Sequence, residues 1–100
     1  MKNNKELNSF GYMYLGEKLR HFRDYKHLTL REAALIMGVT PPRFQNLERG
    51  ADWSVEEMRK FSIFIGKSFD KILEWFEKGK TNYRLEPSLE EQIKEKIGEL

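Results

Sequence analysis

Apolar side chains recur every three or four residues along most of this chain, which is the spacing of helices that each bury one face. The first such stripe predicts a helix over about residues 12–26 and consists of Tyr12, Leu15, Leu19 and Phe22. No stretch alternates apolar and polar residues as a half-buried strand does. The pattern therefore predicts an all-α fold.

Residues 29–50 predict two short helices that are joined by a tight turn. Thr29 is a suitable N-cap for the first of them, whose apolar positions follow helical spacing in Leu30, Ala33, Ala34 and Met37. Gly38 should end this helix, because glycine adopts the left-handed conformation at low cost. Thr40 should then cap the second helix.

The outer face of this second helix is polar and almost uncharged. Opposite the inward-facing Phe44 and Leu47 it carries Pro42, Gln45, Asn46 and Arg49, with Pro41 at its edge. Proline suits a first helical turn, since the first amide groups have no partner within the helix. Glutamine and asparagine can pair with adenine, arginine can pair with guanine, and proline can contact a thymine methyl group. This composition is typical of a helix that reads bases in the major groove of DNA.

Two further helices are predicted downstream. Ser54 should cap the fourth helix, with Glu57 completing a capping box, and Gly66 should end it. Ser68 should cap a fifth helix that ends at Gly79. The predicted inward positions are Val55, Met58, Phe61, Ser62 and Ile65 in the fourth helix and Phe69, Ile72, Leu73 and Phe76 in the fifth.

The two ends of the chain are predicted to lie outside a domain of residues 12–79. Residues 1–11 should form an N-terminal arm that is frayed to about residue 9. At least one aromatic ring of the cluster Phe10, Tyr12, Met13 and Tyr14 should nevertheless pack on the domain. Residues 80–100 are predicted to form a linker to residue 87 and then a sixth helix near residues 88–98, with the apolar stripe Leu89, Ile93, Ile97 and Leu100. Because so short a helix is marginal alone, it should dock on its own domain or on a second subunit.

Composition and charge restrict the possible functions. The chain contains no cysteine, which excludes disulfides and thiolate metal sites. No segment resembles a signal peptide or a membrane span, so a cytoplasmic protein with no membrane partner is expected. The net charge is only +2, yet residues 1–50 hold nine basic and five acidic side chains, whereas residues 51–100 hold nine and eleven. The basic excess accompanies the candidate reading helix, although ordinary scatter of surface charge also explains so small a difference.

Catalytic and metal chemistry are not expected, and no cofactor is predicted. His21 and His27 are not spaced as a metal pair on one helix face, and the chain has neither a glycine-rich phosphate loop nor a cysteine nucleophile. The carboxylate pairs Glu56-Glu57 and Glu90-Glu91 fall in predicted first turns, where acids complement the helix dipole. Trp53 and Trp75 are predicted to be core residues rather than anchors for a partner.

Between residues 15 and 73 the chain resembles the Xre/Cro family of phage-repressor-like helix-turn-helix domains. The resemblance lies in the segments LGEKLRHFR, LTLREAALIMGVT, FQNLERG and VEEMRKFSIFIGKSFDKIL. It implies a five-helix lambda-repressor-like domain, here with an extra C-terminal helix, that binds operator DNA as a homodimer through the second helix of the motif. It also implies an ion pair between Arg23 and Glu48, for which two independent surface charges are the alternative.

The sequence departs from the family pattern at several positions. Pro41 and Pro42 replace polar, base-reading side chains, and Leu30 stands where relatives often carry a glutamine near the sugar-phosphate backbone. Apolar residues also replace polar ones at Leu35, Ile36 and Ile63. This surplus predicts that another part of the chain or another subunit covers some of the domain.

Together these features predict a DNA-binding transcriptional regulator that acts on double-stranded DNA, expected to be a repressor. Base contacts are expected from Pro41, Pro42, Gln45, Asn46 and Arg49, and phosphate contacts from Thr29, Arg31, Thr40 and Arg43. The homodimer interface is expected to draw on Ile63, Trp75, Phe76, Leu89, Ile93 and Ile97. The alternative, which the two prolines and the apolar surplus favour, is a helix-turn-helix domain that binds another protein as an antirepressor, antitoxin or inhibitor.

Overall fold

Five helices make up the described part of the chain. The computed structural model describes residues 4–85, and its helices are α1 (Asn4–Tyr25), α2 (Leu30–Met37), α3 (Pro41–Glu48), α4 (Val55–Ile65) and α5 (Phe69–Leu85). No strand occurs between residues 4 and 85, so the prediction of an all-α fold is confirmed there. None of these helices has an apolar run of the length that a membrane crossing requires.

The predicted caps set the ends of the three central helices. The hydroxyl groups of Thr29, Thr40 and Ser54 each accept a hydrogen bond from the backbone amide three residues later, which satisfies a donor that has no partner within its helix. Gly38 and Gly66 end α2 and α4 at φ values of 84° and 69°, in the left-handed region that glycine adopts most readily. These local predictions are confirmed.

Side chains from all five helices meet in one hydrophobic core. Its largest fully buried members are Leu15, Leu19, Phe44, Leu47, Phe61 and Ile72. The ring of Phe61 packs against two tryptophan rings, with centroid distances of 5.2 Å to Trp53 and 6.1 Å to Trp75. Both tryptophans are buried, as the sequence predicted. Trp75 is only 8% exposed, so little of its side chain is accessible to a second subunit.

The first helix begins at Asn4 and not near residue 12, so the prediction of a frayed arm is wrong from that residue onward. The N-terminal half of α1 lies against the C-terminal half of α5, and this contact extends the domain beyond its predicted start. Tyr12 packs on Phe76 with a centroid distance of 5.0 Å, which confirms that a ring of the N-terminal aromatic cluster contacts the domain. The same contact covers part of Phe76, which was a predicted dimer residue.

The fifth helix continues through Gly79 to Leu85, so Gly79 does not end it and residues 80–85 are not a linker. A methyl carbon added to Gly79 would lie 2.6 Å from Cβ of Tyr14 and 3.0 Å from the carbonyl oxygen of Phe10. The missing side chain thus allows α1 and α5 to approach closely, and this packing offsets the intrinsic cost of glycine within a helix.

Two positions that were predicted to face the core are exposed. Val55 is the first residue of α4 and projects beyond the core, whereas Met58, Phe61 and Ser62 of the same helix are buried as predicted. Leu73 lies at the solvent edge of α5, about 100° around the helix from the fully buried Ile72. The predicted sixth helix and its candidate dimer residues, Leu89, Ile93 and Ile97, lie outside the described residues.

Candidate nucleic-acid interface

The outer face of α3 is polar and open to solvent. Phe44 and Leu47 are fully buried and attach the helix to the core. On the opposite side Gln45 is half-buried, and the remaining predicted base-reading residues are exposed, namely Pro41, Pro42, Asn46 and Arg49. The structure therefore brings these five residues together on and beside one face of a short helix, with Arg49 as its C-cap.

The predicted phosphate-contacting residues fall into two groups. Thr29, Arg31 and Thr40 are exposed, and the two threonines stand at the N-termini of α2 and α3. Their hydroxyl oxygens accept the capping hydrogen bonds, but a hydroxyl group can still donate its own proton to an acceptor such as a phosphate. Arg43, by contrast, has a side chain that is already held within the domain.

The predicted ion pair between Arg23 and Glu48 is present and links α1 to the C-terminal end of α3. Nε of Arg23 donates to Oε2 of Glu48 at 2.7 Å, and Nη2 donates to Oε1 at 3.4 Å. Nη1 also donates to the carbonyl oxygen of Leu28 at 3.2 Å, just before α2. The side chains of Arg23 and Glu48 are 18% and 8% exposed, so the pair is largely removed from water. The hydrogen bond that Arg23 donates to Glu48 raises the pKa of Arg23, although burial opposes it.

A second ion pair, between Arg43 and Glu57, links the N-terminal turn of α3 to the first turn of α4. Nε of Arg43 donates to Oε2 of Glu57 at 2.6 Å, and Nη2 donates to Oε1 at 2.8 Å. Nη2 also donates to the carbonyl oxygen of Asp52 at 2.6 Å. This arrangement differs from the phosphate contact that was predicted for Arg43. Sequence reasoning missed it, because the capping box identified Glu57 but nothing local indicated its partner fourteen residues away.

Glu57 has two roles at the start of α4. Its carboxylate accepts a hydrogen bond from the backbone amide of Ser54 at 2.9 Å, which completes the predicted capping box. The hydrogen bonds from Arg43 lower the pKa of Glu57 from an ordinary value of 4.5 to about 2. Burial opposes this shift, and the hydrogen bonds with Ser54 add to it. Glu57 therefore remains ionised through the whole range of mildly acidic pH.

This lowered pKa predicts an acid-dependent loss of stability. The folded protein binds the proton on Glu57 less tightly than the unfolded chain does, so the contribution is complete above pH 4.5 and is lost as the pH falls towards 2. When the free energy of unfolding in urea is measured at stepped pH, it should therefore decline less steeply over that interval for Glu57→Gln than for the parent. Arg43→Ala should flatten the decline as well, because Arg43 is the main cause of the shift. An unchanged decline in both variants would contradict the assignment.

A third contact fixes the position of α3 and involves a glycine that sequence reasoning did not single out. Gly16 of α1 faces the end of α3, where an added methyl carbon would overlap the carbonyl oxygen of Leu47 and lie 2.7 Å from that of Glu48. The two backbones are therefore in direct contact. A glycine within a helical pattern is the only signal in the sequence, and it does not reveal which element approaches.

The apolar surplus remains uncovered within the described domain. Leu35 and Ile63 are 81% and 80% exposed, and Ile36 is exposed as well. Leu35 lines a groove between α2, α3 and α4 together with Val39 and Lys60, whose ammonium group donates to the carbonyl oxygen of Gly38 at 2.9 Å. Among the predicted dimer residues that the structure describes, Ile63 is thus the one that is fully accessible.

The described residues contain no group of three or more histidine, cysteine, aspartate or glutamate side chains arranged to hold a metal ion. The side-chain clusters around α3 are instead ion pairs and helix caps, which have structural roles. No family model, curated protein or solved structure matches this chain.

Proposed function

We propose that this protein is a sequence-specific DNA-binding transcriptional regulator of the lambda-repressor-like, Xre/Cro type. In this proposal α2, the turn through Gly38, and α3 form a helix-turn-helix, and α3 enters the major groove. The observation that carries the proposal is the arrangement of α3, whose polar outer face is accessible while its buried side and both of its ends are held by the domain. A rigid helix that presents hydrogen-bonding side chains is what base recognition requires.

The side chains on α3 suit the edges of base pairs. Gln45 and Asn46 can each donate to and accept from an adenine, and Arg49 can donate two hydrogen bonds to a guanine. Pro41 and Pro42 have no side-chain donors, so they would contribute apolar contacts to thymine methyl groups at the leading end of the helix. The proposed site thus combines polar recognition with apolar contact on a single face.

Phosphate contacts would orient the domain on the duplex without reading its sequence. Thr29, Arg31 and Thr40 would take this role, and their exposure at or near the starts of α2 and α3 supports the assignment. The backbone amides at these helix N-termini add a favourable electrostatic field for an anion. In a homodimer, the two copies of α3 would enter successive major grooves on one face of the duplex, with half-sites about 34–36 Å apart.

Binding to random duplex DNA at several salt concentrations is the first test of this function. Phosphate neutralisation releases counterions, so the observed affinity should fall steeply and linearly on logarithmic axes as salt rises. Selection of bound sequences from a random duplex pool should then yield a two-fold related site. If the protein binds no duplex even at low salt, the proposed function is wrong.

Removal of a base-reading side chain should affect specific and non-specific binding differently. On the selected site, Asn46→Ala should weaken binding by roughly 10-fold, since a bidentate base contact contributes about 1–3 kcal/mol of discrimination. Its affinity for random DNA should stay close to that of the parent, because the lost contact is not to phosphate. Fluorescence anisotropy on both duplexes measures the two effects. Equal losses on both would contradict the role of Asn46.

A protein-binding function is the second candidate, favoured by the exposure of Leu35, Ile36 and Ile63. Exposed apolar side chains on the outer surfaces of α2 and α4 are typical of an interaction surface rather than of a DNA-binding face. A domain repurposed as an antirepressor, antitoxin or inhibitor would use this surface and bind no DNA. The salt titration with random duplex separates the two candidates, because only the DNA-binding protein shows the steep dependence.

A further inference from the structure

The first turn of α3 contains an arginine whose hydrogen bonds lead away from the proposed DNA-binding face. Arg43 uses Nε and Nη2 on the carboxylate of Glu57, and Nη2 also on the carbonyl oxygen of Asp52, at distances of 2.6, 2.8 and 2.6 Å. The side chain of Glu57 is only 13% exposed and is itself held by the amide of Ser54. The guanidinium group is therefore oriented by an acceptor that is fixed in place.

We propose that Arg43 and Glu57 form a specificity-determining pair, in which Glu57 holds Arg43 against α4 so that it positions α3 and does not bind DNA phosphates. This inference rests on the proposed DNA-binding function and states how the specificity of that same site is set. Arg43 is thus a positioning residue. Glu57 acts through Arg43 rather than through any base or phosphate.

The physical basis is competition between a carboxylate and a phosphate for one guanidinium group. An arginine that reaches phosphate strengthens binding to every sequence, and so it raises non-specific affinity without improving discrimination. To reach a phosphate, Arg43 would have to leave Glu57, whose negative charge would then lie unpaired beside the first turn of α3. A bidentate, partly buried ion pair resists that exchange.

The pair also has a geometric effect on the reading helix. Arg23 and Glu48 hold the C-terminal end of α3 on α1, while Arg43 and Glu57 hold its N-terminal turn on α4. Since the first turn of a recognition helix is the part that enters deepest into the major groove, the second pair controls the angle of entry. Release of this turn should therefore weaken specific binding even though no base contact is removed.

Glu57→Gln is the most informative variant. It should be compared with Arg43→Ala, with the double variant and with Glu56→Gln. The side-chain oxygen of glutamine can still accept the capping-box hydrogen bond from the Ser54 amide, but glutamine lacks the charge that holds Arg43. Glu56→Gln removes an equal charge from the adjacent, exposed residue, whose nearest cation is Lys60 at 3.8 Å, and leaves Arg43 in place. It therefore controls for the general effect of a less negative domain.

The slope of log affinity against log salt on random duplex DNA distinguishes an Arg43 that is paired with Glu57 from one that contacts a phosphate. We expect Arg43→Ala to keep the parent slope, whereas Glu57→Gln should steepen it by about 0.9, the value of one additional phosphate contact. Random-duplex affinity of Glu57→Gln should also exceed that of Glu56→Gln. The double variant should return to the parent slope. For Glu57→Gln, the ratio of affinity for the selected site to affinity for random duplex should fall several-fold.

The opposite pattern would overturn the proposal. If Arg43 contacts phosphate in the parent, Arg43→Ala will flatten the slope by about 0.9 and Glu57→Gln will leave it unchanged. If the parent binds no duplex, the proposed function fails and the specificity role fails with it. The link between α3 and α4 is measured separately without DNA, by the melting temperatures of the two single variants and the double variant. Additive losses in this double-mutant cycle would show that the side chains of Arg43 and Glu57 are not coupled, and would overturn the positioning role.

Discussion

Replacement of Arg23 by alanine should lower the free energy of unfolding by about 3 kcal/mol. The substitution leaves the carboxylate of Glu48, whose side chain is 8% exposed, without its charged partner in a partly buried position. Loss of one member of such a pair costs more than the pair contributes, because the remaining charge stays desolvated. For a domain of this size, a loss of about 3 kcal/mol corresponds to a fall of more than about 10 °C in melting temperature. Circular dichroism during a thermal ramp measures it.

An exposed ion pair provides the matched control. Glu77 pairs with Lys80 at 3.3 Å on the surface of α5, where its side chain is 64% exposed. Glu77→Ala should therefore change the free energy of unfolding by less than about 1 kcal/mol. Arg23→Ala and Glu48→Ala should each be far more damaging than this control, and their combination should be less damaging than the sum. A melting temperature for Arg23→Ala that equals that of Glu77→Ala would refute a structural role for the pair.

Gly16→Ala should destabilise the protein by about 2 kcal/mol, although alanine is the better helix former. Its methyl group would overlap backbone oxygens at the end of α3, and backbone atoms cannot move aside as the tip of a flexible side chain can. Overpacking in a close contact costs about 1–3 kcal/mol or more, whereas the gain in helix propensity is only about 0.5–1 kcal/mol. The helices must therefore separate, and the bond between Arg23 and Glu48 should weaken with them.

Chemical denaturation of Gly16→Ala and Glu17→Ala gives a direct comparison. Glu17 is the next residue of α1 and is exposed, so its replacement by alanine changes the same helix without touching α3. We expect a lower denaturation midpoint for Gly16→Ala and little change for Glu17→Ala. A Gly16→Ala protein as stable as the parent would show that α1 and α3 do not require backbone contact.

The sequence predicted helix boundaries well wherever a boundary depends on a few neighbouring residues. The caps at Thr29, Thr40 and Ser54 and the left-handed glycines at positions 38 and 66 all lie where predicted. Each of these features involves hydrogen bonds over three or four residues, so its chemistry is complete within a short stretch of sequence. The buried faces of α3 and α4 followed largely from helical spacing for the same reason. In α4, Val55 was predicted to face the core but is exposed, and Phe64 is buried although it was not predicted.

The same local rules failed at Gly79 and at the start of α1. Glycine is a common helix stop, yet Gly79 lies within α5 because Tyr14 and Phe10 leave no room for a side chain there. The polar residues after Asn4 gave no apolar stripe, yet α1 begins there, ahead of the contacts that Phe10, Gly11 and Tyr14 make with α5. At Gly79 a contact between distant parts of the chain decided the outcome.

The sequence by itself determined the all-α class, the caps, and the polar outer face of α3, since these depend on local hydrogen bonding and on helical period. The ion pair of Arg23 with Glu48 followed only from family resemblance, and spacing alone did not predict it. Tertiary structure alone decided that Arg43 binds Glu57 and that Gly16 contacts α3. Charged and small side chains can serve many partners, and only the packing of helices far apart in sequence selects one of them.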